Sequence, residues 1–417
     1  MKSNKFWAAA GRVLAAATVM IIVTLMLAPG AWAANTYKIL YSFTGGTDGG
    51  GSDAGLILDA AGNLYGTTSG GGAYGFGTVF QMTPNSGGTW TETVLYSFAG
   101  GSDGANPYAG VIFDDGGNLY GTTMYGGNYG YGTVYELALN SGTWTESVLY
   151  TFTGGKDGAI PGGDVILDAT GNLYGETNNG GVLGRGVVFQ LTPNSGGSWT
   201  ERVLHSFVGG SKDGSNPRYA SLIFDAAGNL YGTTADKGVR CSYGGDWGTV
   251  FELMPSQDGK WKEKLLHHFL GRKSGCRPTG TLIFDQYGSL YGVASGGYVN
   301  TGNVFKLKLG ANGKWNEQVL YRFAGGDDGA YPQGGVVFDT AGNLYGTTAA
   351  GQPAGQVFEL IPDSQGRWTK QVLHYFQGGT DGANPAAGVV FDTTGNLYGT
   401  TANGGSSGAS IVFEISP

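Results

Sequence analysis

The sequence predicts an all-β protein, a seven-bladed β-propeller with four antiparallel strands per blade. Three observations carry this. Gly supplies 81 of 417 residues while Asp, Glu, Lys and Arg together make up 13%; the glycines punctuate short runs rich in Tyr, Phe, Val and Leu, without the strict period of collagen or the aromatic poverty of a disordered chain. The tripeptide Leu-Tyr-Gly recurs seven times, its Tyr at Tyr65, Tyr120, Tyr174, Tyr231, Tyr291, Tyr345 and Tyr398, 53 to 60 positions apart. That period is too long for most helical repeats and has the size of a propeller blade. Each unit holds four short runs of strand character between turn residues, and none has helical length or period.

Residues 1–33 are of another kind. Lys2, Lys5 and Arg12 precede an apolar stretch from Val13 to Leu27, and Ala31-Trp32-Ala33 supplies a small-x-small cleavage site, which together read as a secretory signal peptide in preference to an uncleaved anchor. The propeller then occupies 34–417, in a secreted or periplasmic protein with no membrane span after cleavage. Cleavage after Ala33 leaves 20 Lys plus Arg against 31 Asp plus Glu. The resulting net charge of −11 disfavours nucleic acid and anionic membrane as partners, and a monomer is expected.

In the second unit the four strands are expected at Gly110 to Asp114, Asn118 to Thr123, Gly132 to Leu137 and Trp144 to Phe152. The chain opens with Thr36 to Phe43, which matches only a fourth strand, and ends with Val412 to Ser416, which matches only a third. With the Gly110 to Asp114 type of run innermost, the expected ring is closed by the N-terminal strand, which completes the last blade as its outer edge. This is preferred to the alternative phase, in which every blade is sequential with the Trp144 to Phe152 type of strand innermost and no such clasp is needed.

Repeated residues are read as scaffold first. Asp59, Asp114, Asp168, Asp225, Asp285, Asp339 and Asp392 precede the turn before Leu-Tyr-Gly, where a carboxylate accepts backbone N–H groups. Trp90, Trp144, Trp199, Trp261, Trp315 and Trp368 start fourth strands and cover the space between blades. His205, His267 and His374 replace the Tyr of that strand on different blades, too far apart to share a metal. No nucleophile elbow, phosphate loop or metal spacing is visible, and the repeat places neither His nor Glu on the axis, so catalysis by an axial lyase or hydrolase site is the less favoured reading.

The candidate site is one loop face. By the strand meander, the loops between second and third strands emerge with those leaving the fourth strands. The first set carries Tyr74, Phe76, Tyr125, Tyr129, Tyr131, Tyr243 and Trp247; the second carries Asp48, Asp103, Asp157, Asp213, Asp328 and Asp381. Aromatic faces beside carboxylates suit a neutral or cationic sugar, although the same residues could fold over Gly-rich loops and cap turns. No cofactor is expected; calcium at these Asp-Gly loops would have one carboxylate per loop, a weak site. The fourth unit breaks the pattern, with 18 positions from Tyr231 to Thr249 where the first three units have 13. Its loops carry the two cysteines, Cys241 and Cys276, expected to form a disulfide in an oxidising compartment. Lys237, Arg240, Arg272, Lys273 and Arg277 form a cationic patch beside them.

Gly388 to Gly405 (GVVFDTTGNLYGTTANGG), with Gly248 to Leu253 (GTVFEL) and Trp90 to Pro107 (WTETVLYSFAGGSDGANP), resembles the GloVer tandem repeat of secreted bacterial "choice-of-anchor" proteins. The resemblance covers essentially all of 34–417. It implies an exported propeller-like array with no established activity, carrying one of several C-terminal anchors; here Pro417 follows the last strand directly, without a sorting motif or apolar tail. A weaker similarity, in the Asp-x-x-Gly-Asn-Leu-Tyr turn, is to antibiotic lyases and sugar-lactone hydrolases. The functional expectation is a binding module for extracellular glycan or a surface protein.

Overall fold

Each Leu-Tyr-Gly run becomes the buried second strand of a blade, and seven such antiparallel sheets form the ring of a propeller, each four-stranded except the third, where Ala159–Pro161 adds a short fifth strand. The computed structural model describes residues 35–210, 213–236, 248–271, 274–296 and 301–416. The expected signal peptide lies outside them, as do Lys237, Arg240, Cys241, Tyr243, Trp247, Arg272 and Lys273. No helix among the described residues is long and apolar enough to cross a membrane, and two single 3-10 turns, Gly326–Asp328 and Gly379–Asp381, are the helical elements there.

Blades are numbered from the one that starts at Ile57. In blade four the strands run Ile223–Phe224, Leu230–Thr234, Thr249–Pro255 and Trp261–His268, paired in that order. The innermost strand is shorter than its hydrophobic run suggests. Only two residues pair regularly in most blades, because the segment before them leaves the sheet to follow the axis; blade five, with Cys276–Phe284, is the long exception.

The last blade is built as the half-repeat implies. Thr36–Phe43 pairs antiparallel with Ser410–Ser416 along the outer edge. Its register shifts between Ile39 and Tyr41, matching the irregularity between Val250 and Phe251 in blade four. Such a bulge bends and twists the outer strand, so the N-terminal segment reproduces the shape of a true fourth strand.

Neighbouring blades meet through one repeated aromatic contact. The Phe that ends each fourth strand lies edge-on against the third-strand ring of the next blade: Phe43 on Phe80 at 5.0 Å, Phe207 on Phe251 at 5.3 Å, Phe376 on Phe413 at 5.2 Å. Edge-to-face packing matches the ring quadrupoles. The closing joint thus has the same packing as the others. Trp90 and Trp261 cover the outside of the joints, 5.9 and 6.2 Å from Tyr398 and Tyr174 of the preceding blades.

The turn Asp residues hold the first hairpin. Asp225 accepts the N–H groups of Ala227 and Asn229 on Oδ1 (both 2.9 Å), and Asn229 Nδ2 (2.7 Å) and the Tyr231 hydroxyl (3.1 Å) on Oδ2. The Leu-Tyr-Gly tyrosine is therefore the hydroxyl partner of the turn carboxylate six positions before it. Gly228 takes φ 82° in that turn, where a side chain would be strained.

Candidate functional site

The site begins with a proline. Before the inner strands, Pro107, Pro161, Pro278, Pro332 and Pro385 pack on a glycine of the preceding blade, Pro107 on Gly77 for example. This seat turns the chain inward, and the residue before the proline takes positive φ: Asn106 56°, Arg277 57°, Tyr331 56°. The next residues run beside the axis and line a cavity of about 410 Å³ to which all seven blades contribute. Its polar lining is Asp53, Tyr108, Asp164, Tyr219, Ser221, Thr281 and Gln333.

This lining does not repeat. The residue after the proline position reads Asp53, Tyr108, Gly162, Thr279, Gln333 and Ala386 in six blades. Blade four differs, with Arg218 inserted between Pro217 and Tyr219 and Tyr219 at φ 55°. The Tyr108 and Tyr219 rings stand 6.2 Å apart, tilted by 38°. Burial raises the Tyr108 pKa above the ordinary phenol value, the Asp53 charge adds to it, and Tyr219 and Tyr125 are close enough to contribute.

Asp164 spans three blades. Its Oδ1 accepts the Gly110 N–H at 2.6 Å, and its own N–H donates to Ser221 Oγ at 3.1 Å. It lies deep in the ring yet keeps some accessible surface, because it opens on the cavity. Burial pushes its pKa up, against the hydrogen bonds from Ser221 and Gly110. Asp53 is likewise pushed up by burial, opposed by Ser69, whose Oγ donates to Oδ2 at 3.3 Å.

Behind the wall stands Glu176. Its counterparts Thr67, Thr122, Thr347 and Thr400 donate to carbonyls of the next blade's inner segment, those of Ala109, Gly163, Ala387 and Ala54. Glu176 replaces that threonine in blade three, is 3% exposed, and has no hydrogen-bond partner at either carboxyl oxygen. Burial raises its pKa well above the usual carboxylate range, because an apolar surrounding disfavours the charged form.

The two loop sets do share a face: Ala105 and Tyr125 exchange backbone hydrogen bonds, as do Ser215 and Asp236. Their side chains divide. Tyr74 and Tyr129 stand 63% and 61% exposed. Tyr125 is 44% exposed and close enough to Tyr108 to affect it, and Arg277 is exposed. Tyr131 lies over Gly154, and Phe76 over Gly100, so closely that a Cβ there would meet the ring at 2.5 Å. These two rings are covers for glycine turns. The loop Asp set is also structural: Asp103 accepts the Ala99 N–H (2.7 Å) and the Tyr96 hydroxyl (3.1 Å), and Asp157 does the same with Thr153 and Tyr150. In blades three and six His205 and His374 take the Tyr place against Asp213 and Asp381, at 3.2 and 3.1 Å. No group of three or more His, Cys, Asp or Glu able to hold a metal occurs among the described residues.

Of the other expected site residues, Arg240, Arg272, Tyr243 and Trp247 lie outside the described residues. The Cys241–Cys276 disulfide is in the same position, since Cys241 is outside them, while Cys276 is buried at the start of the inner strand of blade five. The expectation from sequence concerned only His and Glu on the axis; the acid groups that line the cavity are Asp53 and Asp164, with Glu176 buried behind them. Asp53, Asp164 and Glu176 are departures from the repeat, and a consensus taken over seven units averages such departures away. The available signals were the variable positions one and three after the proline position, which hold Asp53 and Asp164, and the single Glu among the threonines after Leu-Tyr-Gly.

Among solved structures, the chain is similar to a puromycin-hydrolyzing peptidase of Mycobacterium tuberculosis (14% identity, 88% of this chain and 52% of that one, TM-score 0.51). It is also similar to an ancestral GH74 enzyme (12%, 91% and 59%, TM-score 0.50) and to the periplasmic gluconolactonase of Pseudomonas aeruginosa (18%, 84% and 93%, TM-score 0.49). The chain thus spans about half the length of the peptidase, and at these identities the likeness to the peptidase and the GH74 enzyme shows the propeller fold alone. No curated protein sequence matches it. The profile of the Gloeobacter/Verrucomicrobia repeat matches residues 27–244 and 219–417, and with the seven repeated blades this places the chain in the Gloeobacter/Verrucomicrobia repeat family.

Proposed function

We propose that the protein is an exported binding module that takes a saccharide into the axial mouth of the propeller. The observation that carries this is the unrepeated lining: two inclined Tyr rings and two carboxylates converge on one cavity from different blades. Rings stack on the C–H faces of a sugar, and carboxylates accept its hydroxyls. The cavity falls in the usual size range of small-molecule sites. This reading keeps the expected glycan partner and loop face but moves the centre from the Asp-Gly loops to the axis. The test is a glycan array followed by calorimetric titration of the secreted protein and its Tyr219→Ala variant. The expected outcome is saccharide binding that weakens about tenfold or more in the variant, since Tyr219 supplies one face of the site. Binding that is absent, or indifferent to Tyr219, overturns the proposal; binding only to another surface protein does so in favour of a protein partner.

The second reading is an axial hydrolase or lyase, and Glu176 favours it. Burial that disfavours the charged form of a carboxyl is the kind of environment that suits a general acid. Turnover of a saccharide or lactone that is lost in Glu176→Gln, with binding retained, would select this reading.

A further inference from the structure

The axial lining has an electrostatic imbalance. Asp53 and Asp164 border the cavity, and no Lys, Arg or His is among the described residues that line it. Neither carboxylate has an ion-pair partner among the described residues. Arg218 lies instead over the Tyr219 ring, with Cζ 5.7 Å from the centroid, and Arg277, next to the proline of blade five, is exposed and is not among the lining residues. Two other partly buried carboxylates of this protein do meet a cation: Asp328 has Lys370 of the next blade at 2.7 Å, and the turn carboxylate Asp285 has Lys306 at 3.1 Å. The axial pair is thus left uncompensated at the place where a ligand can enter.

Hydrogen bonds answer only part of this charge. Asp164 takes the Gly110 N–H on one oxygen, and Asp53 takes Ser69 at the longer distance of 3.3 Å. Removing a carboxylate from water without a counter-charge disfavours its ionised form, and burial raises both groups accordingly. A neutral polyol would exchange hydrogen bonds with water on roughly even terms. An ammonium group would in addition supply the missing charge, and the Tyr108 and Tyr219 rings offer it two negative faces.

We propose that the axial cavity selects a cationic saccharide of the amino-sugar class, its ammonium held between Asp53 and Asp164 and its ring flanked by Tyr108 and Tyr219. This rests on the axial saccharide reading above and adds the charge of the ligand. Titration calorimetry of the whole secreted protein with glucosamine, glucose, N-acetylglucosamine and ethanolamine, at about pH 6 where the amines are charged, separates the two ideas. Glucosamine is expected to bind about tenfold or more tightly than either neutral sugar at low salt, with an advantage that shrinks as salt is added. Asp53→Asn should narrow the gap, and Asp53→Asn with Asp164→Asn should close it; Asn at 164 keeps a carbonyl for the Gly110 N–H, and an unchanged melting profile confirms folding. Equal affinity for glucose and glucosamine overturns charge selection and leaves the saccharide site standing. Ethanolamine binding without any sugar binding supports charge selection and overturns the saccharide site. An amine preference that survives the double variant, or binding of none of the four, overturns this proposal.

Discussion

The glycine after each Leu-Tyr is the sharpest point at which the packing of this fold can be challenged. Gly232 sits opposite Phe251 in the second-to-third strand pairing of blade four. A Cβ added there would lie 2.6 Å from Phe251 Cζ and 2.9 Å from Leu222 Cδ2, where carbon atoms rest at about 3.5 to 4.0 Å. Phe251 would have to retreat by roughly 1 Å to restore that contact, yet it is fully buried and has Phe207 at 5.3 Å. Overpacking of this kind costs about 1 to 3 kcal/mol, so Gly232→Ala should destabilise by that amount and Gly232→Val by more. Because the conflict is with one ring, Phe251→Leu should make room. The double variant should lose less stability than the two single losses combined, with a coupling of about 1 kcal/mol or more. Urea unfolding of the four proteins measures this. A single-variant loss near zero, or strict additivity, would refute the close-approach account of all seven glycines, since Gly66, Gly175, Gly292 and Gly399 face Phe80, Phe189, Phe305 and Phe413 in the same way.

Three further outcomes are expected. Deleting Thr36 to Phe43 should strip Ser410–Ser416 of its outer partner and the Phe80 ring of Phe43, giving aggregation through the bare strand edge and loss of a single unfolding transition; light scattering and calorimetry would show an unchanged protein if the clasp were dispensable. Asp225→Ala removes an acceptor of four hydrogen bonds and should cost about 2 kcal/mol or more in chemical denaturation, an expectation that a loss below ~0.5 kcal/mol would contradict. Glu201, in a blade joint beside Asp157, is pushed up to about 7 first by burial and then by the Asp157 charge. It binds its proton more tightly folded than unfolded, so its contribution is full below about pH 4.5 and is lost as pH rises through about 7; stability of Glu201→Gln should therefore fall less than that of the parent between pH 5 and pH 8, and parallel curves would count against the buried joint.

Much of the scaffold was legible because it rests on local or repeated contacts. The Asp225 turn spans six residues, the Gly232 and Phe251 pairing lies within one blade, and the half-repeat Thr36–Phe43 can complete only a blade that lacks a fourth strand. The loop face was legible in position, since the meander alone puts Ala105 beside Tyr125, but not in purpose. Asp103 and Asp157 turn inward to Tyr96 and Tyr150, and Tyr131 lies down on Gly154, because a Gly-rich loop has no other side chains to bury. The Glu of the fourth strand, such as Glu201, is half-buried in a joint; its neighbour comes from the preceding blade, beyond the reach of a strand pattern.

The sequence by itself determined that this chain is a ring of seven like blades closed by its own first strand, because a unit repeated every 55 residues or so can satisfy its turns and strand pairs within itself and its faces only against copies of itself. The tertiary structure alone decided the chemistry of the axis. Asp53, Tyr108, Asp164 and Tyr219 are about one unit apart along the chain and share no motif, and they become neighbours only when ring closure brings the inner edges of the blades to one line, where each blade contributes a residue or two free of the repeat's packing demands.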